Sequence, residues 1–458
     1  MKILKELFAD SNYLKKLITV ALPISAQFFV SSALNMVDVM MVGQSGEVPV
    51  ASVGLANQIY FLMSVFIFGI SAGTSIFCAQ FWGKKDIINI QKTMGLGLTI
   101  NTTVALLFTS AAFFVPKLLI SMYSKDSAVI ELGSKYLRIV SISYLFTSFT
   151  MTFSTTLRST EHLILPTSSS IFAIMLNTTL NYLLIFGKFG FPELGVEGAA
   201  YATLISRFLE CTIIILITYI KRYPAALSLH NAFAYSFDFV KKYLNIVLPS
   251  LFTEASWALG VTIYMSIYAK TSTESVAAIN IASTIEMLSF VMFIGIAHGS
   301  GILIGKSIGE NNDRMLKLLT WRSVILVILL AIFMGGLLIA ISGIITDFYH
   351  IEESTTFFLR NILIILGCFF WIKTGNMLFV DGILRNGGDT KFSFFLNFLP
   401  IYLIGIPCGL LGAFIFHLPV HFVYLLINIE EIVRFSVGFM RVRSGKWVNN
   451  LVADEALG

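Results

Sequence analysis

The sequence predicts an all-α polytopic membrane protein, with twelve transmembrane helices in two six-helix lobes that a parallel internal repeat relates. Three observations support this fold class. The 458 residues are 56% hydrophobic and only 12% charged, about half the charged fraction of a soluble globular protein. Apolar runs longer than the about 20 residues that a helix needs to cross a bilayer recur along the chain. The second half of the chain repeats the pattern of the first.

The apolar runs divide the chain into twelve predicted spans. Only helices and closed barrels satisfy every backbone hydrogen bond in lipid, and barrel strands alternate polar and apolar residues over about ten positions. The runs in this chain show no such alternation, which favours helices. The predicted spans cover about residues 17–43, 53–82, 93–115, 133–156, 164–187, 195–219, 243–268, 277–305, 318–345, 358–384, 392–415 and 418–438.

The distribution of positive charge orients these spans. Lys and Arg accumulate in the cytoplasmic loops of membrane proteins. In this chain 21 Lys and Arg residues, among them Arg158 after the fourth span and Arg385 after the tenth, flank the spans on the side that holds both termini, against five on the opposite side. We therefore expect a multi-pass protein of the plasma (inner) membrane with both termini in the cytoplasm.

The internal repeat aligns Leu22-Pro23 with Leu248-Pro249, and we call this shift the repeat offset. At this offset, segment 22–83 shares more identical positions with the second half than its biased composition accounts for. Each copy contains six spans, an even number, so the two copies insert with the same orientation. The repeat predicts an N-terminal lobe at 1–219, a cytoplasmic linker at 220–242, and a C-terminal lobe with a short cytoplasmic tail at 243–458.

Composition also limits the function classes. The four cysteines lie inside apolar runs without paired spacing or clustering, so we expect neither a disulfide framework nor a metal site. The net charge of +5 does not indicate nucleic acid, and we expect no such partner. The expected surroundings are membrane lipids.

Four polar residues of the first half are predicted to lie in the outer half of the membrane. Asp38 interrupts the apolar run LNMVDVMMVG in the first span, Asn177 and Asn181 lie one turn apart in the fifth, and Thr203 lies in the sixth. A carboxylate at this depth is a functional candidate, and amide and hydroxyl oxygens are its natural partners. The set predicts a site that binds a cation or a proton. The alternative is an interfacial aspartate beside polar residues that join helices.

A second charged set is predicted near the membrane midplane in the C-terminal lobe. Glu254, Glu286 and Lys373 lie deep within the seventh, eighth and tenth spans. A lone charge there is costly, so we expect Lys373 to pair with one glutamate and to leave the other free to take up a proton. A purely structural ion pair is the alternative. Five more charged residues are expected to be structural or to extend toward the membrane surface, namely Arg138, Arg207, Glu210, Glu430 and Glu431.

Matching prolines, Pro23 and Pro249, lie in the first span of each predicted lobe. Proline removes a backbone hydrogen bond and bends a helix. A bend at Pro23, below Asp38, would let the outer part of the first helix move when the carboxylate changes its charge state. Pro23 is therefore the predicted hinge, and a static bend is the alternative.

The sequence resembles the multidrug and toxic compound extrusion (MATE) transporters, and most closely their NorM-like branch. The motifs that carry the resemblance extend over nearly the whole chain. They are ALPIS and VDVMMVG in the first span, GISAGTSIFCAQFWGKKD at the end of the second, LRSTEHLILPT after the fourth, LNTTLNYLLIFGKFGFPELGVEGAAYAT over the fifth and sixth, VAAINIA in the eighth and GILRNGGDTKF after the tenth.

The resemblance implies a V-shaped pair of bundles that export cationic or amphipathic drugs and toxic compounds in exchange for Na⁺ or H⁺. Such a protein is a secondary active antiporter that works by alternating access, confers antibiotic resistance, and uses no cofactor besides its coupling ion. We expect a monomer with a small-molecule substrate. The family's ion or proton site in the N-terminal lobe maps onto Asp38, Asn177, Asn181 and Thr203, and its acid in the seventh span maps onto Glu254.

Two positions depart from the family pattern. Some relatives have an aspartate where this chain has Asn181, so the first site carries one acid fewer. The NorM-like branch also has an acid in the tenth span, where this chain has Thr374 with Lys373 beside it. Lys373 would repel a cation unless Glu254 or Glu286 neutralises it, which puts a sodium site in the C-terminal lobe in doubt.

Three other function classes are alternatives. A flippase for lipids or lipid-linked oligosaccharides has a related two-lobed plan, but it should show a strongly basic cavity. A membrane-embedded enzyme would need His clustered with Asp or a nucleophile. The six His residues are scattered, and only His417 and His421 lie four residues apart, so we expect no enzyme. A channel would conduct without a counter-ion gradient.

Overall fold

The computed structural model describes residues 11–349 and 351–453. These residues form helices and loops, and no strand occurs among them. The α-helices are α1 Ser11–Gly43, α2 Glu47–Lys84, α3 Ile87–Phe114, α4 Pro116–Ser121, α5 Ser127–Ser141, α6 Ser143–Ser159, α7 Ile164–Phe186, α8 Gly195–Ile220, α9 Leu229–Ala232, α10 Phe237–Ala269, α11 Thr273–Gly309, α12 Asp313–Phe348, α13 Glu353–Met377, α14 Thr390–Pro400, α15 Ile406–Leu410 and α16 Val420–Ser444. Other helical segments are the 3₁₀ turn Lys188–Gly190 and the π-helical segments Leu378–Leu384, Ile401–Gly405 and Leu411–Ile415.

Ten helical segments of the described chain are long and apolar enough to cross a membrane. The two predicted spans outside this set also fall on helices. Residues 133–156 fall on α5 and α6, which are separate helices on either side of Ile142. Residues 418–438 fall on α16, whose apolar character Glu430, Glu431 and Arg434 reduce. The structure is thus all-helical, and it is consistent with the twelve predicted spans.

The internal repeat also appears in the positions at which the helices begin. Five helices of the first half begin one repeat offset before a helix of the second half. The pairs are α1 and α10, α2 and α11, α3 and α12, α5 and α13, and α7 and α14. The N-caps of the third pair repeat as well. Asp86 accepts a hydrogen bond from the backbone N–H of Asn89, and Asn312 accepts one from Met315, each at 3.0 Å. Such caps satisfy an N–H group that the first helical turn leaves unpaired.

The helices pack into two compact units. The first unit is Ala26–Leu251, and the second unit is Met1–Ser25 together with Phe252–Gly458. The division between the units falls within α1, after Ser25, and within α10, after Leu251. Each of these helices therefore contributes its first part to one unit and its remainder to the other. The lobes at 1–219 and 243–458 follow the order of the spans and stay a prediction, whereas these units follow the packing.

Glycines of α2 and α11 let the first parts of α10 and α1, respectively, approach closely. Lipid is as apolar as a leucine side chain, so helix contacts in a membrane depend on close packing, and small residues permit it. In the first unit, Gly69 and Gly73 of α2 lie against Leu251 and Val247 of α10. A Cβ atom at Gly73 would lie 2.8 Å from the Val247 Cα atom, which leaves no room for a side chain.

The second unit repeats this contact with the partner helices exchanged. Gly295 of α11 lies against Ser25 of α1, and Gly299 lies against Ala21. A Cβ atom at Gly299 would lie 3.3 Å from the Ala21 backbone nitrogen. These contacts are the repeat images of the first set, because each of the four residues lies one repeat offset from its counterpart.

Candidate functional site

Three of the four polar residues predicted for the first site lie together in the first unit. The Asn181 side-chain amide donates to the Asn177 side-chain oxygen at 3.4 Å, and the Asn177 amide donates to the Thr203 hydroxyl at 3.3 Å. The two asparagines are one turn apart on α7, which places them on one face toward Thr203 on α8. Asn181 is 3% exposed. The structure brings these three residues together, and their role stays a prediction.

Asp38, the predicted carboxylate of this site, lies within α1, but its side chain falls outside the described residues. The geometry of the site is therefore described for Asn177, Asn181 and Thr203. Pro23, the predicted hinge, lies in the interior of α1, as Pro249 does in α10. Both prolines are the thirteenth residue of a 33-residue helix, so the repeat extends to their place in the helix.

In the second unit, Lys373 of α13 forms an ion pair with Glu286 of α11. Glu286 is one of the two glutamates with which Lys373 was expected to pair. The ammonium group also lies 5.7 Å from the centre of the Tyr424 ring, a distance at which the ring stabilises a cation. The two charged side chains are 15% and 24% exposed. Lys373, the cation of the predicted second set, is therefore paired with a carboxylate.

Glu254 is not the unpaired carboxylate that the sequence analysis expected. Its Oε1 accepts a hydrogen bond from Arg385 Nη2 at 2.7 Å, and the same Nη2 lies 3.0 Å from an oxygen of Asp381. The prediction placed Arg385 with the cytoplasmic charges because it follows the tenth span. Its side chain is only 4% exposed, and it directly follows the π-helical segment Leu378–Leu384. Glu254, Asp381 and Arg385 form a cluster separate from the Lys373–Glu286 pair.

A further buried ionic cluster lies on α16, on residues that the sequence analysis regarded as structural or did not single out. Arg434 lies 3.1 Å from Glu430 and 3.5 Å from Glu431. The Asn376 amide donates to the Glu431 carboxylate at 2.7 Å. The spacings of three and four residues place all three charges on one face of α16, which is the signal that a sequence reading could have used.

A cavity of about 130 Å³, lined mostly by polar residues, lies in the first unit. One face of α6 lines it with Thr147, Met151, Ser154 and Arg158, residues that recur at helical spacing. These positions place hydroxyl groups and one guanidinium along the same wall. Residues of α1, α2, α7 and α8 complete the lining.

The charged residues of this cavity are Arg158, Arg207 and Glu210. Arg207 lies 2.9 Å from Glu210, and the Ser170 hydroxyl donates to the other oxygen of Glu210 at 2.6 Å. Arg158 donates from Nη2 to the side-chain oxygen of Gln27 at 2.7 Å. The sequence predicts Arg158 among the cytoplasmic charges, and Arg207 and Glu210 as residues that are structural or extend toward the membrane surface, so the cavity is not among the sequence predictions.

Possible metal ligands are not grouped in the part of the chain that the structure describes. Within residues 11–349 and 351–453, no three His, Cys, Asp or Glu side chains are placed to hold a metal ion. The four cysteines are free thiols.

Comparison with known sequences identifies relatives along almost the whole chain. An uncharacterized transporter, YisQ, of Bacillus subtilis is 25% identical over 457 residues, which cover 97% of each chain. A probable multidrug resistance protein NorM of Thermotoga maritima is 25% identical over 443 residues, or 96% of this chain and 94% of its own.

Solved structures share the fold. A MATE crystal structure in complex with MaL6 superposes with a TM-score of 0.86 at 20% identity, covering 98% of this chain and 99% of that one. A MOP superfamily transporter from Pyrococcus furiosus gives a TM-score of 0.85 at 20% identity with the same coverage. The MatE family model matches residues 23–183 and 249–411, two segments that begin one repeat apart. Because this match covers well over half of the chain, the protein belongs to the MatE family, the multidrug and toxic compound extrusion (MATE) transporters, and is a multi-pass membrane protein of a multidrug efflux family.

Proposed function

We propose that this protein is a secondary active antiporter that exports cationic or amphipathic compounds in exchange for Na⁺ or H⁺ by alternating access. The observation that carries the proposal is an excess of carboxylates over bases in two partly or fully buried ionic groups of the second unit. The Glu254–Asp381–Arg385 cluster contains two acids and one base. The other ionic residues described above, Glu286, Lys373, Glu430, Glu431 and Arg434, contain three acids and two bases.

Each of these two groups therefore carries one negative charge in excess of its own bases. An isolated buried charge is costly, so such a carboxylate takes up a proton, a metal cation or a cationic ligand. A protein that must exchange a cationic compound for a proton or Na⁺ needs this property. Competition between the two for the same negative charge couples their movements.

In the first unit we assign the coupling-ion site to Asp38 with Asn177, Asn181 and Thr203. The hydrogen-bonded amides and the hydroxyl supply oxygen atoms of the kind that hold a hard cation or orient a protonated carboxylic acid. Asp38 supplies the charge that changes. Pro23, in the same helix, is the proposed hinge that transmits the change.

The coupling follows from linkage between the two binding equilibria. If ion or proton binding favours a conformation with lower affinity for the exported compound, then that compound lowers the affinity for the ion by the same factor. A coupling free energy of about 1–3 kcal/mol is typical of such reciprocal effects. Met and aromatic side chains adapt to ligands of different shape, which suits a transporter of varied compounds.

The setting of the proposed antiporter follows from its charge distribution. We place it in the plasma (inner) membrane, surrounded by lipid, as a monomer with both termini in the cytoplasm. The excess of Lys and Arg on the side of the termini supports this orientation. In that orientation the Asp38 site faces the outer half of the membrane.

The test is transport of ethidium by the purified protein in proteoliposomes under a Na⁺ gradient or a pH gradient, each applied alone. We expect one gradient to drive ethidium movement in the unmodified protein, and Asp38→Asn to reduce the rate by at least about tenfold, the effect of losing roughly 1.4 kcal/mol of coupling. Asp347→Asn is the matched control, because Asp347 is an exposed carboxylate in the last turn of α12.

Equal loss of transport in the two variants would show that the effect of Asp38→Asn is not specific to the site. If neither gradient moves ethidium, the antiporter proposal is wrong for cationic dyes, and lipid and lipid-linked substrates become the next assay. Ethidium movement without any gradient would indicate a channel.

A further inference from the structure

Arg158 in the first unit and Arg385 in the second occupy related places in the repeat. Each guanidinium donates from Nη2 to the side-chain oxygen of a residue 131 positions earlier, at 2.7 Å in both cases. The acceptor is Gln27 for Arg158 and Glu254 for Arg385. The shift that places the first pair on the second is the same shift that aligns the Leu-Arg dipeptides 157–158 and 384–385.

The chemistry around the two arginines differs, although their geometry corresponds. Arg385 is flanked by the carboxylates of Glu254 and of Asp381, which lies one helical turn before it. One turn before Arg158 the chain has Ser154, which lines the same cavity as Arg158. In the first unit an amide and a hydroxyl therefore stand where the second unit has two carboxylates.

This exchange leaves a positive charge at the cavity of the first unit. Arg158, Arg207 and Glu210 sum to one net positive charge, and the Glu210 carboxylate is held by Arg207 and Ser170. Among the described residues no carboxylate forms a salt bridge with Arg158. Its Nε–H is buried and has no hydrogen-bond partner within the described part of the chain. A buried donor without a partner is costly, and more so when the group is charged.

We propose that the cavity of the first unit binds a compact oxyanion, a carboxylate or a phosphate, at Arg158. The anion takes the part that Glu254 and Asp381 play for Arg385, and it accepts the hydrogen bond that Nε–H offers. Tyr60 and Ser154 line the same cavity, and their hydroxyl groups can donate to the anion as well. The cavity has room for several water molecules, which the anion would displace.

This site goes beyond the proposed exchange of a cation for Na⁺ or H⁺. It rests on the proposed function only in that the anion is then the acid group of a transported compound. Anion binding at Arg158 requires neither a gradient nor the Asp38 site. A binding assay on the solubilised protein therefore tests it separately from transport.

The experiment measures thermal unfolding of the full-length protein in detergent by intrinsic fluorescence, titrated with sodium benzoate, sodium phosphate or benzylammonium chloride at constant total chloride. A ligand that binds only the folded state raises the unfolding temperature, and the rise grows with the ratio of its concentration to its Kd. We expect benzoate or phosphate to stabilise the unmodified protein and benzylammonium not to. Benzoate alone would indicate a carboxylate ligand, and phosphate alone a phosphate ligand.

Two variants and a control make the test specific to Arg158. Arg158→Gln should weaken anion binding by about tenfold or more, because a charge-assisted hydrogen bond is lost. Arg138→Gln, at an exposed arginine of the same unit, should leave the affinity unchanged. Glu210→Gln keeps the hydrogen-bonding shape but removes a negative charge, so it should tighten anion binding, a result that a purely structural role of the cavity does not produce.

The proposal is overturned if Arg158→Gln and the unmodified protein respond equally to both anions, or if benzylammonium stabilises and neither anion does. It is also overturned if no ligand changes the unfolding temperature. Should Arg158→Gln fail to fold, the sign of the Glu210→Gln effect decides, since weaker or unchanged anion binding in that variant contradicts a net positive site.

Discussion

At the residue scale, the ion pair between Lys373 and Glu286 illustrates why a buried contact matters most when only one partner is removed. Both side chains are less than one quarter exposed, so each charge depends on the other for the interactions that water would provide. Breaking a buried pair leaves an uncompensated charge, whereas replacing both partners by apolar side chains is often nearly neutral. The pair therefore need not stabilise the fold in order to be intolerant of single substitutions.

We predict that Lys373→Met lowers the free energy of unfolding by about 3 kcal/mol, because Glu286 is left buried without its partner. The double variant Lys373→Met with Glu286→Leu should recover most of this loss. The measurement is the unfolding temperature in detergent. Lys135→Met is the matched control, since Lys135 lies 3.5 Å from Glu131 in a pair that is more than half exposed, and such a pair contributes about 0–1 kcal/mol.

An additive double variant would contradict this account. If the loss in the double variant equals the sum of the two single losses, the partners do not interact, and the closeness of Lys373 and Glu286 carries no energetic weight.

The sequence predicted that Lys373 pairs with one of the two glutamates, without saying which, but it did not predict the partner of Glu254, for a physical reason. A charge inside the membrane pairs with an opposite charge on a neighbouring helix. Hydropathy and charge are enough to predict such a pairing from the sequence. Arg385 follows an apolar run, so the charge rule assigns it to the cytoplasm. Its side chain is nevertheless buried, and it lies 2.7 Å from Glu254, a residue 131 positions earlier in the sequence.

At the element scale, the apolar pattern was sufficient to place the helices. Every predicted span falls on a helix or on consecutive helical segments. The pattern did not reveal the separation of α5 and α6 at Ile142, or the π-helical segments at Leu378–Leu384 and Ile401–Gly405. Such features depend on local hydrogen bonding and on what packs beside the helix, whereas hydropathy averages over about 19 residues.

The contact between α2 and α10 yields a prediction about glycine. Gly73→Ala should destabilise the protein by about 1–3 kcal/mol, the usual cost of overpacking, because the new methyl group would lie 2.6 Å from a Val247 methyl carbon and 2.8 Å from Val247 Cα. Gly336→Ala in α12 is the control, since nothing lies within 4 Å of its Cβ position. There the gain in helix propensity should be neutral or stabilising by up to about 1 kcal/mol.

Unfolding temperatures of the two alanine variants in the same detergent provide the check. Equal shifts, or a stabilised Gly73→Ala variant, would mean that α10 moves aside at no cost. The α2–α10 contact would then not be the close packing that the structure shows.

At the scale of the whole molecule, the repeat and the packing divide the chain differently. The sequence repeat suggests two consecutive lobes, but α1 and α10 pass from one compact unit to the other along their length. The exchange is symmetric, because the α1 residues that contact α11 are the repeat images of the α10 residues that contact α2. The aligned glycines in α2 and α11 indicate close helix packing at equivalent positions of the two copies. A glycine pattern does not show which helix packs against it.

This division leads to a prediction about fragments of the chain. The first unit ends at Leu251, so residues 237–251 belong to its packing, although the sequence predicts 220–242 as the cytoplasmic linker and 243 as the start of the C-terminal lobe. A fragment of residues 1–251 retains the α10 segment that covers Gly69 and Gly73, whereas a fragment of residues 1–236 lacks it. We expect the longer fragment to give a monodisperse species with protected tryptic sites in detergent, and the shorter fragment to aggregate or to be digested, because its α2 surface has lost its partner. Gel filtration and limited trypsin digestion of the two fragments provide the comparison. If both fragments are equally folded, the start of α10 is dispensable to the first unit, and the boundary at 219 predicted from the sequence describes the folding unit better than the boundary at Leu251.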